Sequence, residues 1–327
     1  MTCHEEAFSK TPMQANVPGD RHNSVEEGGA IPGSNAAAFT FTHYDAASVP
    51  IVIAVPHAGR AYPETLLREM RDPAYSCIRL EDRYVDRIAR AVAARTGAPL
   101  LVANAPRAML DLNRAPADVD WGMVHDVPAD IVRHSSANRR ARSGLGLVPR
   151  RLPELGELWS NPLAYADLQD RIDLIHTPYH AALAGSLDRL RDIWGSSLLI
   201  DLHSMPPLTK RSGGPSPAKF VIGDRFGASA NDMIVAAALR HFADDQIGVA
   251  HNRPYAGGYV LDRHGAPLRN IHAVQLEICR SLYLDEEYRE TKAGLDDVVE
   301  TLVALIGKLG REVAQLAASS RYATAAE

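Results

Sequence analysis

Cysteine is scarce in this chain: 327 residues carry three, Cys3, Cys77 and Cys279. So sparse and odd a set supports neither a disulfide framework nor a paired-cysteine metal site, and a reducing, cytoplasmic setting is expected. Cys279 lies two residues past Glu277 and would share its face on a strand, but it reads better as a small buried hydrophobe than as a nucleophile. No apolar run approaches the length that spans a bilayer, and the N-terminus lacks the basic-then-apolar order of a secretory signal. There is no GxxxxGK[ST] and no GxGxxG, so nucleotide-dependent chemistry is not expected. Ser204 has no nucleophile-elbow frame, which argues against a serine hydrolase. A formal net charge of -5 leaves no global basic surface for nucleic acid or anionic lipid. The local clusters Arg139-Arg140-Ala141-Arg142 and Arg150-Arg151 read as solvated loops or as a small anion-binding site.

What is present is ordinary globular material, 46% hydrophobic, enough for one large domain. Residues 1–38 are poor in large aliphatics and are expected to form a flexible tail. Residues 39–318 read as one domain, and 319–327 as a C-terminal tail. Within the domain, strand and helix patterns alternate. Strands are expected at Ile51–Val55, Leu100–Ala103, Met109–Leu112, Leu198–Leu202, Lys219–Ile222, Gly248–Ala250 and Val274–Ile278. Helices are expected at Glu81–Thr96, stopped by Gly97, at Tyr165–Trp194 with a kink or a break into two helices at Pro178, at Ala228–Phe242 and, one or two of them, over Asp285–Leu316. Such alternation predicts an α/β fold, a three-layer mixed β-sheet flanked by helices. The Pro-, Gly- and Arg-rich stretch Ala115–Glu157 is long for a connection and is a candidate substrate loop.

Three strand-like runs end on polar, ligand-type side chains. Leu198-Leu199-Ile200-Asp201-Leu202 leads to His203, Ile51–Val55 leads through Pro56 to His57, and His272–Leu276 leads to Glu277. A buried strand that delivers an imidazole at its carboxyl end is a common way to build a metal or catalytic site in an open α/β sheet. His57, His203 and a carboxylate near the helix start, Asp82 or its neighbour Glu81, form a metal-ligand set that leaves room for water. A simple helix-capping role is the plainer reading of either acid. Glu277, in an apolar strand, is costly to bury unless paired or functional, which marks it as the general base. Arg107 lies ahead of Asp111 and Asn113-Arg114 beyond it. Asn113 and Arg114 suit recognition of a carboxylate, and Arg107 suits polarisation of a carbonyl, unless it is simply a buried partner of Asp111. Gly257-Gly258 marks a close backbone approach, a weak signal alone. Of the remaining histidines, His125, His134, His176, His180, His251, His264 and His272 carry no assigned role.

Taken in order, these residues resemble the N-formylglutamate amidohydrolase family. The resemblance rests on Val55-Pro56-His57-Ala58-Gly59 with Tyr62-Pro63, Asp82 with Val85-Asp86, Arg107 with Asp111-Leu112-Asn113-Arg114, and Gly144-Leu145-Gly146-Leu147-Val148. It continues through Tyr179-His180, Asp201-Leu202-His203-Ser204-Met205, Asn252 to Tyr259, and Gln275-Leu276-Glu277-Ile278-Cys279-Arg280 with Tyr283. It implies a zinc-carboxypeptidase-like fold with one metal site. It also implies His57 and His203 as ligands, Glu277 as base, Asn113 and Arg114 on the substrate carboxylate, and Arg107 at the carbonyl oxygen. The wider group has a glutamate three residues after its first histidine. Here that position is Arg60, so the carboxylate ligand is expected at Asp82, with Glu81 and Glu64 as substitutes.

The expected activity is therefore metal-dependent hydrolysis of an N-acyl, formyl-type acidic amino acid, with one zinc or other divalent ion and a small-molecule substrate. A zinc carboxypeptidase acting on short peptides uses the same metal and base. A non-catalytic metal- or amino-acid-binding module on the same scaffold predicts loss of the base or the clamp, yet Glu277, Asn113 and Arg114 are all retained. Neither nucleic acid nor membrane is an expected partner, and the sequence carries no signal for the oligomeric state.

Overall fold

The computed structural model describes residues 23–44, 48–131, 144–209 and 216–325. Cys3, His134, the Arg139–Arg142 cluster and the first 22 residues of the expected tail lie outside them. Strands β1 (Asn23–Gly28), β2 (Phe39–Tyr44), β3 (Ile51–Val55), β4 (Leu100–Ala103), β5 (Ser197–Met205), β6 (Phe220–Gly223), β7 (Val249–His251) and β8 (Ile271–Cys279) form one mixed sheet. Their spatial order is β1-β2-β4-β3-β5-β8-β6-β7. The centre, β4-β3-β5-β8, is parallel throughout, while β2 and β6 flank it antiparallel. The chain runs from β3 outward to β4 and later returns to β5 on the other side of β3. That reversal opens a crevice at the carboxyl ends of β3 and β5, where open α/β sheets bind ligands.

The central strands are apolar because both faces are covered. Ile51, Ile53 and Val55 join Leu198, Ile200, Leu202, Val274, Leu276 and Ile278 in one core layer, under helices α3 (Val85–Thr96), α5 (Asp232–Asp244) and α7 (Gly294–Ala325). Val52, Ala54, Leu199, Ile271 and Ala273 belong to the layer on the opposite face. A long helix, α4, covers that face. It comprises Tyr165–Arg171, a wider π-turn at Ile172–His176, and Thr177–Trp194. Side chains alternate along a strand, so Asp201 and His203 follow Leu199 onto the α4 face, and Gln275 and Glu277 follow Ala273. One face thus carries apolar residues at the amino ends of β5 and β8 and polar ones at their carboxyl ends. Three short helices complete the description: α1 (Glu64–Glu69) and α2 (Pro73–Leu80) precede α3, and α6 (Tyr259–His264) precedes β8. No helix of the described residues is long and apolar enough to cross a membrane.

Several elements differ from expectation for identifiable reasons. The part of the expected 1–38 tail from Asn23 onward is folded: β1 pairs antiparallel with β2, and Ile31 and Ala38 are buried. Residues Ser24 to Glu27 are exposed, so β1 is held by backbone hydrogen bonds, which composition does not register. At the other end α7 runs to Ala325, past the boundary expected at 318. Met109–Leu112 is not a strand but a set of turns, in which the Pro106 carbonyl accepts from Met109 and Leu110 and the Leu147 carbonyl accepts from Asp111. Helix α3 begins at Val85 rather than Glu81, and the Asp82 amide donates to the His57 carbonyl instead. At its other end it stops as expected at Gly97, which takes a left-handed φ of 75°. Of the kink or break expected at Pro178, helix α4 shows no break, only the π-turn just ahead of the proline. The proline cannot donate to the Leu174 carbonyl one turn back, and that carbonyl accepts from the Ala30 amide instead, with the π-turn absorbing the mismatch.

Candidate active site

His57 stands just past β3, Asp82 just before α3, and His203 within β5, and one ligand atom from each lies within 4.8 Å of the others. All three are buried. The Nε2–H of His57 donates to Asp111 Oδ1 at 2.7 Å, and that of His203 to Asp201 Oδ2 at 2.8 Å. Because those oxygens only accept, each imidazole carries its proton on Nε2 when neutral and turns an Nδ1 lone pair inward. Both lone pairs face Asp82 Oδ2, at 3.5 Å from His57 and 3.0 Å from His203. Three acceptor atoms converging without a donor repel one another unless a cation sits among them. A donor set of two imidazole nitrogens and one carboxylate oxygen, with its tautomers fixed from outside, fits a catalytic divalent-metal site.

Where no cation sits among them, a proton on the imidazole edge can take its place. Burial opposes ionisation of Asp82, but hydrogen bonds from the histidines in that protonated form, His203 first and then His57, outweigh it and hold the carboxyl well below the usual range. Burial likewise opposes charging of His203, and its two aspartates overcome it, raising that imidazole well above its ordinary value. The other oxygen of Asp82 is tethered by the Ser204 hydroxyl at 3.1 Å and the Arg280 guanidinium at 3.3 Å. Arg280 in turn donates to the Glu81 carbonyl at 2.6 Å, tying β8 to the segment that carries Asp82.

Glu277 is the register partner of His203 on the neighbouring parallel strand. Its carboxylate accepts from Gln275 Nε2 at 2.7 Å, and burial pushes its pKa up to about 7. On the far side of His57, Asp111 is a hub. One oxygen takes the His57 proton and the Asn113 amide, and the other takes the Arg107 guanidinium at 3.0 and 2.9 Å. Asn113 then donates to Gln275 Oε1 at 3.2 Å, and its own Oδ1 accepts from the Val260 amide at 2.9 Å. Arg114 donates through Nε to the Leu145 carbonyl. Asn113 leaves no room beside Gly258, where an added Cβ would sit 2.5 Å from its Oδ1.

A cavity of about 240 Å³ joins these groups: His57, Asp82, His203, Glu277, Arg107, Asn113, Arg114, Gly257 and Gly258 all line it. Every residue singled out from the sequence for this site is therefore brought to one place. Of the three carboxylates considered as ligands, Asp82 joins the histidines. Glu81 instead pairs with Arg83 at 2.9 Å, and exposed Glu64 pairs with Arg68 on α1. Arg60 likewise turns away, to Asp86. Arg107 is indeed the partner of Asp111 and lines the cavity as well. None of the cavity's lining comes from the described parts of Ala115–Glu157. That stretch acts from behind through Leu145 and Leu147, which hold Arg114 and Asp111. The Arg150-Arg151 pair is engaged with Asp120 and Glu157. Cys279 packs with Met205 and Val221, as expected of a buried hydrophobe.

Sequence reasoning missed four supports. Asp201 could have been found from the Asp-x-His spacing, which puts both side chains on one strand face. Asp111 was weighed only as an arginine partner. Ser204 and Arg280 sit in quoted motifs, but nothing in their spacing signals a tether on Asp82. Tyr255, whose phenol is raised first by burial and then by nearby Glu277, also lines the cavity; it lies in the Asn252–Tyr259 motif, where only the two glycines draw attention.

A profile of the N-formylglutamate amidohydrolase family matches residues 49–284. The chain belongs to that family. It is 31% identical over 266 residues to an N-formylglutamate deformylase of Pseudomonas putida, covering 77% of this chain and 89% of the relative. It is 29% identical over 277 residues to the protein of that name in Pseudomonas aeruginosa, covering 78% and 93%. The crystal structure of an N-formylglutamate amidohydrolase from Ralstonia eutropha JMP134 superposes with a TM-score of 0.75 at 28% identity, over 85% of this chain and 99% of that one.

Proposed function

We propose that the chain hydrolyses the formamide bond of N-formyl-L-glutamate, giving formate and glutamate, with a zinc ion held by His57 Nδ1, His203 Nδ1 and Asp82. The observation that carries this reading is the meeting, in one buried cavity, of that cluster with Glu277 on one side and Asn113–Arg114 on the other. When bound, the metal supplies Lewis acidity to the formyl oxygen and lowers the pKa of a water. Asn113 and Arg114 hold a substrate carboxylate, and Arg107, kept charged by Asp111, faces the formyl oxygen. Glu277, with a pKa near neutrality, takes a proton from the attacking water. It delivers that proton to the leaving nitrogen as the C–N bond breaks, so one carboxyl serves as base and then acid.

A cavity of about 240 Å³ is smaller than the roughly 300–1,000 Å³ of drug-sized ligand sites. That favours a small N-acyl amino acid over a peptide. The sparse cysteines support a cytoplasmic enzyme. The test is formate release from N-formyl-L-glutamate by metal-replete protein, beside a chelated control and a panel of N-acyl amino acids and short peptides. Metal-dependent formate release is expected. Turnover confined to peptides would replace this reading with the carboxypeptidase, and silence across the panel with metal bound would replace it with a binding module.

A further inference from the structure

Three histidines without a place in the chemistry lie together beneath the clamp. His176 and His180 stand one turn apart on α4, where the π-turn meets the regular helix, and both reach the segment that carries Asn113 and Arg114. The Nε2 of His180 is 3.0 Å from the Leu112 carbonyl and that of His176 is 2.9 Å from the Arg114 carbonyl. Carbonyl oxygens only accept, so both rings carry their proton on Nε2. That leaves His180 Nδ1 as an acceptor, and it lies 3.0 Å from His264 Nε2, which must then be the donor. The tautomer of every ring is thereby set by the clamp's own main chain.

His264 belongs to α6, the helix whose Val260 amide also donates to Asn113 Oδ1. Tyr259, from the same helix, packs its ring 5.5 Å from His176 and 5.3 Å from His180. The carbonyls of Leu112 and Arg114 bracket Asn113 on both sides, while its side chain is held from α6 and β8. All three imidazoles are buried, and burial keeps each of them neutral. Apolar side chains would fill this space equally well, but they would give up the hydrogen bonds that the histidines make to the Leu112 and Arg114 carbonyls.

We infer that His176 and His180 are positioning residues for the Asn113–Arg114 clamp, with His264 fixing the hydrogen-bond direction of His180. The network sets the main-chain geometry on which carboxylate recognition depends, and it touches neither the metal cluster nor Glu277. This inference rests on the clamp role proposed above for Asn113 and Arg114.

The test compares His180→Phe and His176→Phe, which keep a ring and lose the donor, with His180→Gln and His176→Gln, which keep a donor. The readouts are steady-state kinetics on N-formyl-L-glutamate, calorimetric binding of glutarate and metal content. Each Phe form is expected to raise KM and weaken glutarate about tenfold, the worth of one buried hydrogen bond. The turnover number and metal content should stay near wild type, and the Gln forms should recover most of the loss. Unchanged KM and glutarate affinity in both Phe forms would overturn the inference. So would equal losses in the Gln and Phe forms, because packing would then be the cause. If one Phe form fails to fold, the other carries the same comparison on the neighbouring carbonyl. A wild type that binds glutarate but leaves N-formyl-L-glutamate intact sinks the proposed activity alone, and glutarate affinity then judges the network. A wild type that binds no glutarate sinks the clamp and the network together.

Discussion

Glu277 and His203 face each other across a parallel strand pair, as register partners on β8 and β5. The proposed proton carrier and a proposed metal ligand are thereby held by main-chain hydrogen bonds rather than by loops. Their separation is a property of the sheet, and the two roles can be removed one at a time.

Glu277→Gln keeps the shape of the carboxyl and removes its proton chemistry. Metal content should equal that of the wild type, while turnover should fall by about 10² to 10⁴, the usual worth of a positioned acid–base group. Metal analysis beside formate release measures both. If Glu277→Gln loses the metal while Asp82→Asn retains it, the division of labour between the two carboxylates is the reverse of the one argued above.

Asp82→Asn removes the charge that balances the two imidazoles, and the protein should be purified without stoichiometric metal. Asp111→Asn leaves all three proposed ligands in place but replaces the charged acceptor behind His57 with a neutral amide, whose single oxygen cannot serve His57 and Arg107 at once. Its metal affinity should fall about 10- to 100-fold, as expected for an outer partner of a ligating histidine. Competition with a coloured chelator separates these two outcomes.

Arg114→Ala should mainly raise KM for acidic substrates. Gly258→Ala should produce the same symptom from the opposite wall, because its methyl group would sit 2.5 Å from Asn113 Oδ1 and push the amide off the Val260 N–H. Glutarate binding should weaken in both while metal content stays constant. A Gly258→Ala protein with unchanged KM would show that Asn113 does not contact substrate.

His272→Leu tests electrostatics far from the chemistry. The ring is buried near the start of β8 and its Nδ1 has no partner, and burial pushes its pKa down to about 4. An unfolded histidine takes its proton near 6.5, so above that pH the buried neutral ring carries no proton-linked cost. Below it the unfolded chain binds the proton and the fold does not. Stability therefore falls by about 1.4 kcal/mol per pH unit from about 6.5 toward about 4. Urea unfolding across that window should show a shallower slope for the leucine variant by that amount, with equal or greater stability at pH 7. Identical slopes would mean that the native ring does take up the proton.

Much of the site was legible because strand periodicity and burial cost are local. Ile51–Val55 is bounded in the structure as its apolar run suggests. His57, His203 and Glu277 stand out because a polar residue closing an apolar strand has no cheap explanation. What escaped depends on distant segments. The Asp201–His203 bond is local in sequence, but its meaning requires knowing that Asp82 faces the opposite nitrogen. Pro178 reads as a kink or a break because the Ala30 amide that pairs with the carbonyl it abandons lies far away in the chain. Strand β1 is invisible to composition, since its exposed residues contribute a main-chain ladder and little buried surface. Arg280 reads as an ordinary polar residue until its contacts with Glu81 and Asp82 are seen.

The position of β8 between β5 and β6 has a consequence for how the chain assembles during synthesis. Strands β6 and β7 leave the ribosome before β8, yet β6 touches the sheet only through β8. The β6–β7 unit cannot pair with the main sheet until the later strand inserts, and joining distant segments in this way slows folding. The proposed metal ligands have all been made by then, whereas Glu277 arrives with the inserting strand. A nascent chain can therefore acquire the proposed metal ligands well before it acquires the proposed proton carrier.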